Sequence, residues 1–180
     1  MLSLAFVFSC TNDDDDSPGL PTTLQYDGEN VTGPILPAGE YEAAVRFPSS
    51  LLADYVGRNL EGISFFLGDR PAGVIVRIYG DNSVDTPGDL LFEADVTNGV
   101  GAPNWNQLPL SDPIEITGDD IWISILLIHD QNQQSIGCDA GPNTFNGDWL
   151  FQDSDNEWRT FRDRTGENIN WNIRAEVSEE

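Results

Sequence analysis

Ile121-Trp122-Ile123-Ser124-Ile125-Leu126-Leu127-Ile128 is apolar at every position except Ser124. Apolar side chains therefore occur on both parities of the run, and a strand patterned in this way is covered on both faces. It belongs in the middle of a sheet.

Working outward from it, the other apolar segments alternate. In Tyr41-Glu42-Ala43-Ala44-Val45-Arg46-Phe47, the residues Tyr41, Ala43, Val45 and Phe47 share one face, and Glu42, Ala44 and Arg46 share the other. That is the period of a strand with one buried and one mostly wet side. The pattern repeats with Ile63, Phe65 and Leu67, with Val74, Val76 and Ile78, and with Leu90, Phe92, Ala94 and Val96 facing inward. Residues 168–177, Asn-Ile-Asn-Trp-Asn-Ile-Arg-Ala-Glu-Val, complete the set. Turn signals separate the strands: Gly80-Asp81-Asn82, Asp85-Thr86-Pro87-Gly88, Thr117-Gly118-Asp119 and Asn146-Gly147-Asp148. Pro48-Ser49-Ser50-Leu51-Leu52-Ala53-Asp54-Tyr55 reads as one helical turn with a Ser cap, Leu51, Leu52 and Tyr55 at helical spacing, and Gly57 past its end. Some eight strands without a long amphipathic helix predict an all-β fold, an antiparallel β-sandwich of jelly-roll type with one short helix, over residues 38–180.

Size and charge bound the function. The chain of 180 residues suits one domain and a tail, and at 39% hydrophobic it has enough apolar surface for a core. Thirty-one Asp and Glu stand against 8 cations, all Arg, for a net charge of −23. Such a surface repels phosphate backbones and anionic lipid headgroups, which excludes nucleic acid as a partner. The absence of lysine fits either adaptation to high salt or compositional drift over an acidic exterior.

The first ten residues form a short apolar run, Leu2 to Ser9, ending at Cys10. It reads as the apolar region of a secretory signal without the basic segment that normally precedes one, as a start farther upstream would explain. Val7-Phe8-Ser9-Cys10 resembles a bacterial lipobox, with Phe8 departing from it, and implies lipidation of Cys10. Asp13, Asp14, Asp15 and Asp16 resemble the acidic signal that sends Bacteroidetes lipoproteins to the cell surface; the alternative is a solvated acidic tail. The expected location is the outer membrane, lipid-anchored and facing outward. Residues 11–37 read as an acidic, Pro-rich tether with an edge strand at most.

The order Phe47-Pro48, Leu51, Tyr55 and Gly57, then Leu60, Ile63 and Phe65, then Val74, Val76 and Ile78, then Gly88, Leu90, Phe92 and Val96 resembles the jelly-roll modules of Bacteroidetes surface proteins. Trp105, Leu108 and Leu110, Ile121-Trp122-Ile123, Asp139-Ala140-Gly141-Pro142 and Asn170-Trp171-Asn172-Ile173-Arg174-Ala175 extend the match. These modules are similar to cleaved-adhesin and MAM-like domains. The resemblance implies an adhesive or accessory role without catalysis, sometimes with calcium. Ser124-Ile125 departs from it, standing where a glycine and an aromatic are expected.

Chemistry-bearing residues are sparse. His129 is the sole histidine and sits beside Asp130 at the end of an apolar strand, so a satisfied strand-end His is expected rather than a catalytic base. Cys138 lacks a partner once Cys10 is lipidated, and burial is the expectation for it. Zinc clusters, P-loops and dinucleotide fingerprints are missing from the sequence. No cofactor is required; for calcium, Asp139 is the candidate ligand, against a turn-stabilising Asp that bonds local N–H groups. Trp171 and Trp122 read as core, and Trp105 fits either side. Trp149 and Trp158, with Arg159, lie in a polar, turn-rich stretch and are the candidate ligand face, a Trp platform for sugar with hydrogen-bonding neighbours; the alternative is that both indoles cap the core. The expected function is binding of a glycan or a surface protein without catalysis, and the rival is an accessory subunit of an outer-membrane uptake or secretion assembly.

The charge balance generates a first prediction. At molar salt the Debye length falls to about 3 Å and repulsion among carboxylates is screened, so the melting temperature should rise by several degrees from low-salt buffer to molar sodium chloride. A flat or falling melting curve would remove the salt argument.

Overall fold

The computed structural model describes residues 20–179. Cys10 and Asp13 to Asp16 lie outside the described residues. The strands run β1 (Thr23–Leu24), β2 (Gly39–Phe47), β3 (Asn59–Leu67), β4 (Gly73–Tyr79), β5 (Leu90–Asp95), β6 (Asn104–Glu115), β7 (Ile121–His129), β8 (Trp149–Gln152), β9 (Glu157–Thr160) and β10 (Ile173–Val177). Helix α1 (Ser49–Leu52) continues into a 3-10 turn at Ala53–Tyr55, and α2 (Phe161–Thr165) follows β9. No helix among the described residues is long and apolar enough to cross a membrane.

All pairings are antiparallel, in a four-stranded sheet of order β1-β10-β3-β6 and a six-stranded sheet of order β5-β4-β7-β2-β8-β9. Removing the β8-β9 hairpin leaves two four-stranded sheets between which the chain crosses repeatedly, which is the connectivity of a jelly roll. The hairpin is an addition that extends the larger sheet past β2.

The run 121–128 is the centre of this arrangement. β7 lies between β4 and β2, with Ile123 opposite both Val45 and Ile78. Its odd positions, Ile121, Ile123, Ile125 and Leu127, join Ala43, Val45 and Phe47 of β2 and Val74, Val76 and Ile78 of β4. They pack against Ile63, Phe65 and Leu67 of β3 and Ile173, Ala175 and Val177 of β10 in one core. Each Val, Leu, Ile or Phe so buried contributes about 1.5–3 kcal/mol, and truncating a central one, as in Ile123→Ala, costs about 2–5 kcal/mol.

Departures from the expected alternation have local causes. Leu90 does not face inward; it is 50% exposed. Between Ile78 and Tyr79 the pairing with β5 skips a residue, from Phe92 to Leu90, and this bulge turns Leu90 to the outer side. Only Ile173–Val177 of the last apolar segment is a strand; Trp171 before it makes a single bridge to Cys138 and is fully buried. The short helix forms where expected, and Leu52 and Tyr55 enter the core, but its first turn is capped from elsewhere. Ser49 N–H donates to the buried carboxylate of Asp120 at 2.6 Å, and that carboxylate also pairs with Arg46. α2 was not foreseen; Thr160 caps it by accepting from Asp163 N–H at 3.0 Å, and Gly166 closes it at φ +82.

The Pro-rich stretch before residue 38 does more than space the module. Leu24 and Leu36 are in the core, Thr32 bridges to Cys138, and Asp27 is buried, accepting from Asn172 and, through two hydrogen bonds at 2.8 and 3.1 Å to one oxygen, from Arg174. The folded unit thus includes β1 and the chain between it and β2.

Cys138 is 2% exposed, and burial followed by the charges of Asp139 and Glu167 pushes its thiol up to about 12. The native thiol should therefore resist alkylation at pH 8 and react once the chain is denatured, as peptide mapping would read out. Because the thiol ionises near its ordinary value only when unfolded, its contribution to stability is present below pH 9 and declines above it, by about 1.4 kcal/mol per pH unit. Cys138→Ala should lose less stability than the native chain between pH 8 and pH 10; an equal loss would refute the linkage.

Candidate functional site: the aromatic face of the larger sheet

The even positions of β7 point away from the core, yet Trp122, Ser124 and Leu126 are buried. The cover is made of side chains. Trp149 and Phe151 of β8 and Trp158 of β9 share this face, because Ala44 pairs with Trp149, Glu42 with Phe151, and Phe151 with Trp158. Tyr79 of β4 joins from the other flank, opposite Trp122.

Ala44 is the small residue that lets the rings meet. With only a methyl group between β7 and β8 at that row, Trp122 and Trp149 approach to 5.1 Å between centroids at 54°, and Trp158 lies edge-on to Trp122 at 5.8 Å. Phe151 packs on Trp158 at 5.6 Å, and Phe145, 63% exposed, contacts the edge of Trp149 at 6.3 Å. Tilted and edge-to-face pairs such as these add about 0.5–1.5 kcal/mol each beyond area burial. The indole N–H groups of Trp122 and Trp149 are buried with no acceptor among the described residues. Native folds rarely leave such donors unpaired, so this layer carries a cost that packing alone does not explain.

Beside the rings lies a charged group. Glu42 is 4% exposed; one carboxylate oxygen accepts from Ser124 Oγ at 2.5 Å and Tyr79 Oη at 2.8 Å, and the other accepts from Arg77 at 3.0 Å. Arg77 also donates to Glu93 at 2.8 Å. Burial, then the Glu42 carboxylate, holds the Tyr79 hydroxyl well above its ordinary range, so it remains a donor. Burial alone would lower Arg77, but Glu42 and Glu93 hold it higher, so it remains a cation. The arrangement is a fixed cation and a fixed carboxylate at the margin of an aromatic surface, able to stack and to hydrogen-bond.

The structure brings Trp149 and Trp158 together, through Trp122 rather than side by side. Trp149, at 5% exposed, is buried; Trp158 is half-buried, packed on Trp122 and Phe151. Arg159 does not accompany them. It pairs with Leu150, whose side chain is in the core, and so points to the opposite side of the hairpin. Phe161 packs edge-on against Trp171. Asp139 acts as a turn-stabilising residue: its two oxygens accept from Gly28 N, Gly141 N, Asn170 N and Asn170 Nδ2 at 2.7–3.0 Å. No group of three His, Cys, Asp or Glu side chains placed to hold a metal ion occurs among the described residues.

His129 is buried at the end of β7, 5.3 Å from the ring of Tyr41. Its nitrogens face the Leu36 and Pro37 backbone without a hydrogen bond in good geometry, and burial lowers its basicity. Trp105 turns out half-buried, with the Arg174 guanidinium 4.2 Å above its ring. Sequence reasoning missed Tyr79, Arg77, Glu42 and Phe145. The signal for the face was available in Trp149-x-Phe151 and in the apolar even positions of β7, which require a cover. Comparison with protein-family models, with curated proteins and with solved structures finds no match to this chain.

Proposed function

We propose that the chain is a non-catalytic recognition module, held at the outer membrane through a lipid on Cys10 and directed outward by Asp13 to Asp16, that binds an extracellular glycan across the aromatic face of the larger sheet. One observation carries the reading: the outer side of a sandwich normally receives the wet half of each alternating strand, and here it receives Tyr79, Trp122, Trp149, Phe151 and Trp158. Sugar rings present C–H faces that stack on such a surface, and their hydroxyls suit Arg77 and Glu93 at its margin. The net charge of −23 disfavours anionic chains and leaves neutral ones.

A second reading, an accessory subunit of an outer-membrane assembly, draws on Phe145, whose exposed ring broadens the apolar area beyond the sheet.

Retention on a polysaccharide array, with melting curves in parallel, separates the two. Trp158→Ala and Phe145→Ala should each weaken retention by about 1–3 kcal/mol, roughly 5- to 150-fold, and Phe145→Ala should leave the melting temperature nearly unchanged. Unchanged retention in both variants would end the glycan reading. Release of a Cys10→Ala form from the membrane fraction, and loss of the native form from intact cells treated with protease, would support the anchoring.

A further inference from the structure

At the edge of the sandwich remote from the aromatic hairpin, β5 and β6 are terminal strands of their respective sheets. Between them, under the loop from Val96 to Asn104, opens a cleft of about 550 Å³, within the size range of small-ligand sites. Phe65, Val96 and Leu108 supply its apolar lining, and Asp95, Asn98, Asn104 and Gln107 its polar rim. No lysine or arginine lines it.

Two features distinguish this cleft from a surface irregularity. The first is that its frame is fixed. Asn106 accepts from Gly101 N–H at 2.7 Å and donates to the carbonyls of Gly101 and Asn104 at 3.0 and 3.1 Å, and Val96 N–H donates to Val74 O at 3.0 Å. Asp95 holds the near end, accepting from Thr97 N–H at 2.9 Å. The second is that the remaining amides are uncommitted. Asn98, Asn104 and Gln107 are exposed, and their side chains make no hydrogen bond with the described residues, while the neighbouring Asn106 uses both ends of its amide. A primary amide places a donor beside an acceptor, which is what a hydroxyl needs on both counts. Gln107, paired with Ser64, points to the other face of the sheet from Leu108. Asn98 and Asn104 stand beside the apolar wall, and two such groups with a carboxylate and no cation match a ligand that is neutral, rich in hydroxyls and apolar on one face.

We propose that this cleft is a second saccharide subsite, taking one or two neutral sugar units, with Asn98 and Asn104 bonding the hydroxyls and Val96 and Leu108 meeting the C–H face. The ligand class rests on the glycan reading above, but the residues are separate from the aromatic face. In rigid, preformed sites of this kind the ordering cost is small, so a few hydrogen bonds suffice for measurable affinity.

The test is a titration of the full ¹⁵N-labelled chain, followed by amide NMR shifts, with cellohexaose, xylohexaose and mannohexaose as neutral probes and hexagalacturonate as the acidic counterpart. At least one neutral probe should shift the amides of Asn98 to Gly101 and of Asn104 to Leu108. Asn98→Ala and Asn104→Ala should each raise its Kd at least fivefold without moving the melting temperature, and Trp158→Ala should leave these shifts in place. Shifts confined to β7, β2, β8 and β9 would overturn the subsite and spare the aromatic-face reading. Shifts confined to the cleft would do the reverse. Equal binding of hexagalacturonate at the cleft, or no shift with any probe at millimolar concentration, would also overturn it.

Discussion

A strand that is apolar on both sides has to be covered on both sides, and a two-layer sandwich supplies only one cover. β7 meets the first requirement in the ordinary way, by packing Ile121, Ile123, Ile125 and Leu127 against the facing sheet. The second is met without a third layer, by lateral side chains. Ala44 makes room, Trp149 and Trp158 lean across from an added hairpin, and Tyr79 and Arg77 close in from β4. The hairpin's place at the sheet edge follows from that need, since β2 is the one neighbour of β7 with a free flank beyond it. A protein that solves burial this way acquires a rigid aromatic layer, with Trp122 and Trp149 buried and Tyr79, Phe151 and Trp158 half-buried at its margin.

The few cations are arranged by the same economy. Arg46 neutralises buried Asp120, Arg77 joins Glu42 and Glu93, Arg164 holds Asp155, and Arg174 covers Asp27 while lying on Trp105. Buried carboxylates left without such partners would each cost several kcal/mol. Half of the eight arginines are thus engaged with carboxylates, and the exposed Arg70, Arg159 and Arg162 are far outnumbered by surface acids. Any ligand of this module meets a surface that discriminates against anions before contact is made.

How much of this was legible in the sequence depends on range. Alternation in 41–47, 63–67 and 74–78 is a local signal and gave the inner faces correctly, and the doubly apolar 121–128 identified the central strand. The bulge that exposes Leu90 depends on a partner strand and leaves no local mark. The β8-β9 hairpin was hidden by its polar turn, Asp153 to Asn156, and by strands of only four residues. Arg159 was grouped with Trp158 because they are adjacent, although adjacent residues on a strand face opposite ways. The bonding of Asp139 is set by Gly28 and Asn170, 111 and 31 residues distant, and leaves no mark in the local sequence. The cleft between β5 and β6 is formed by the edges of two sheets and had no signature in either segment alone.

The position of β10 has a kinetic consequence. The last strand lies in the interior of the smaller sheet, between β1, the first strand, and β3. Until it arrives, β1 has no partner there and the β3-β6 pair leaves one edge open, so that sheet cannot close on any incomplete chain. Contacts joining the two ends of a sequence form late and slowly, because the loop entropy must be overcome before they can contribute. In a chain made from its N-terminus the smaller sheet would therefore stay open until β10 had been made.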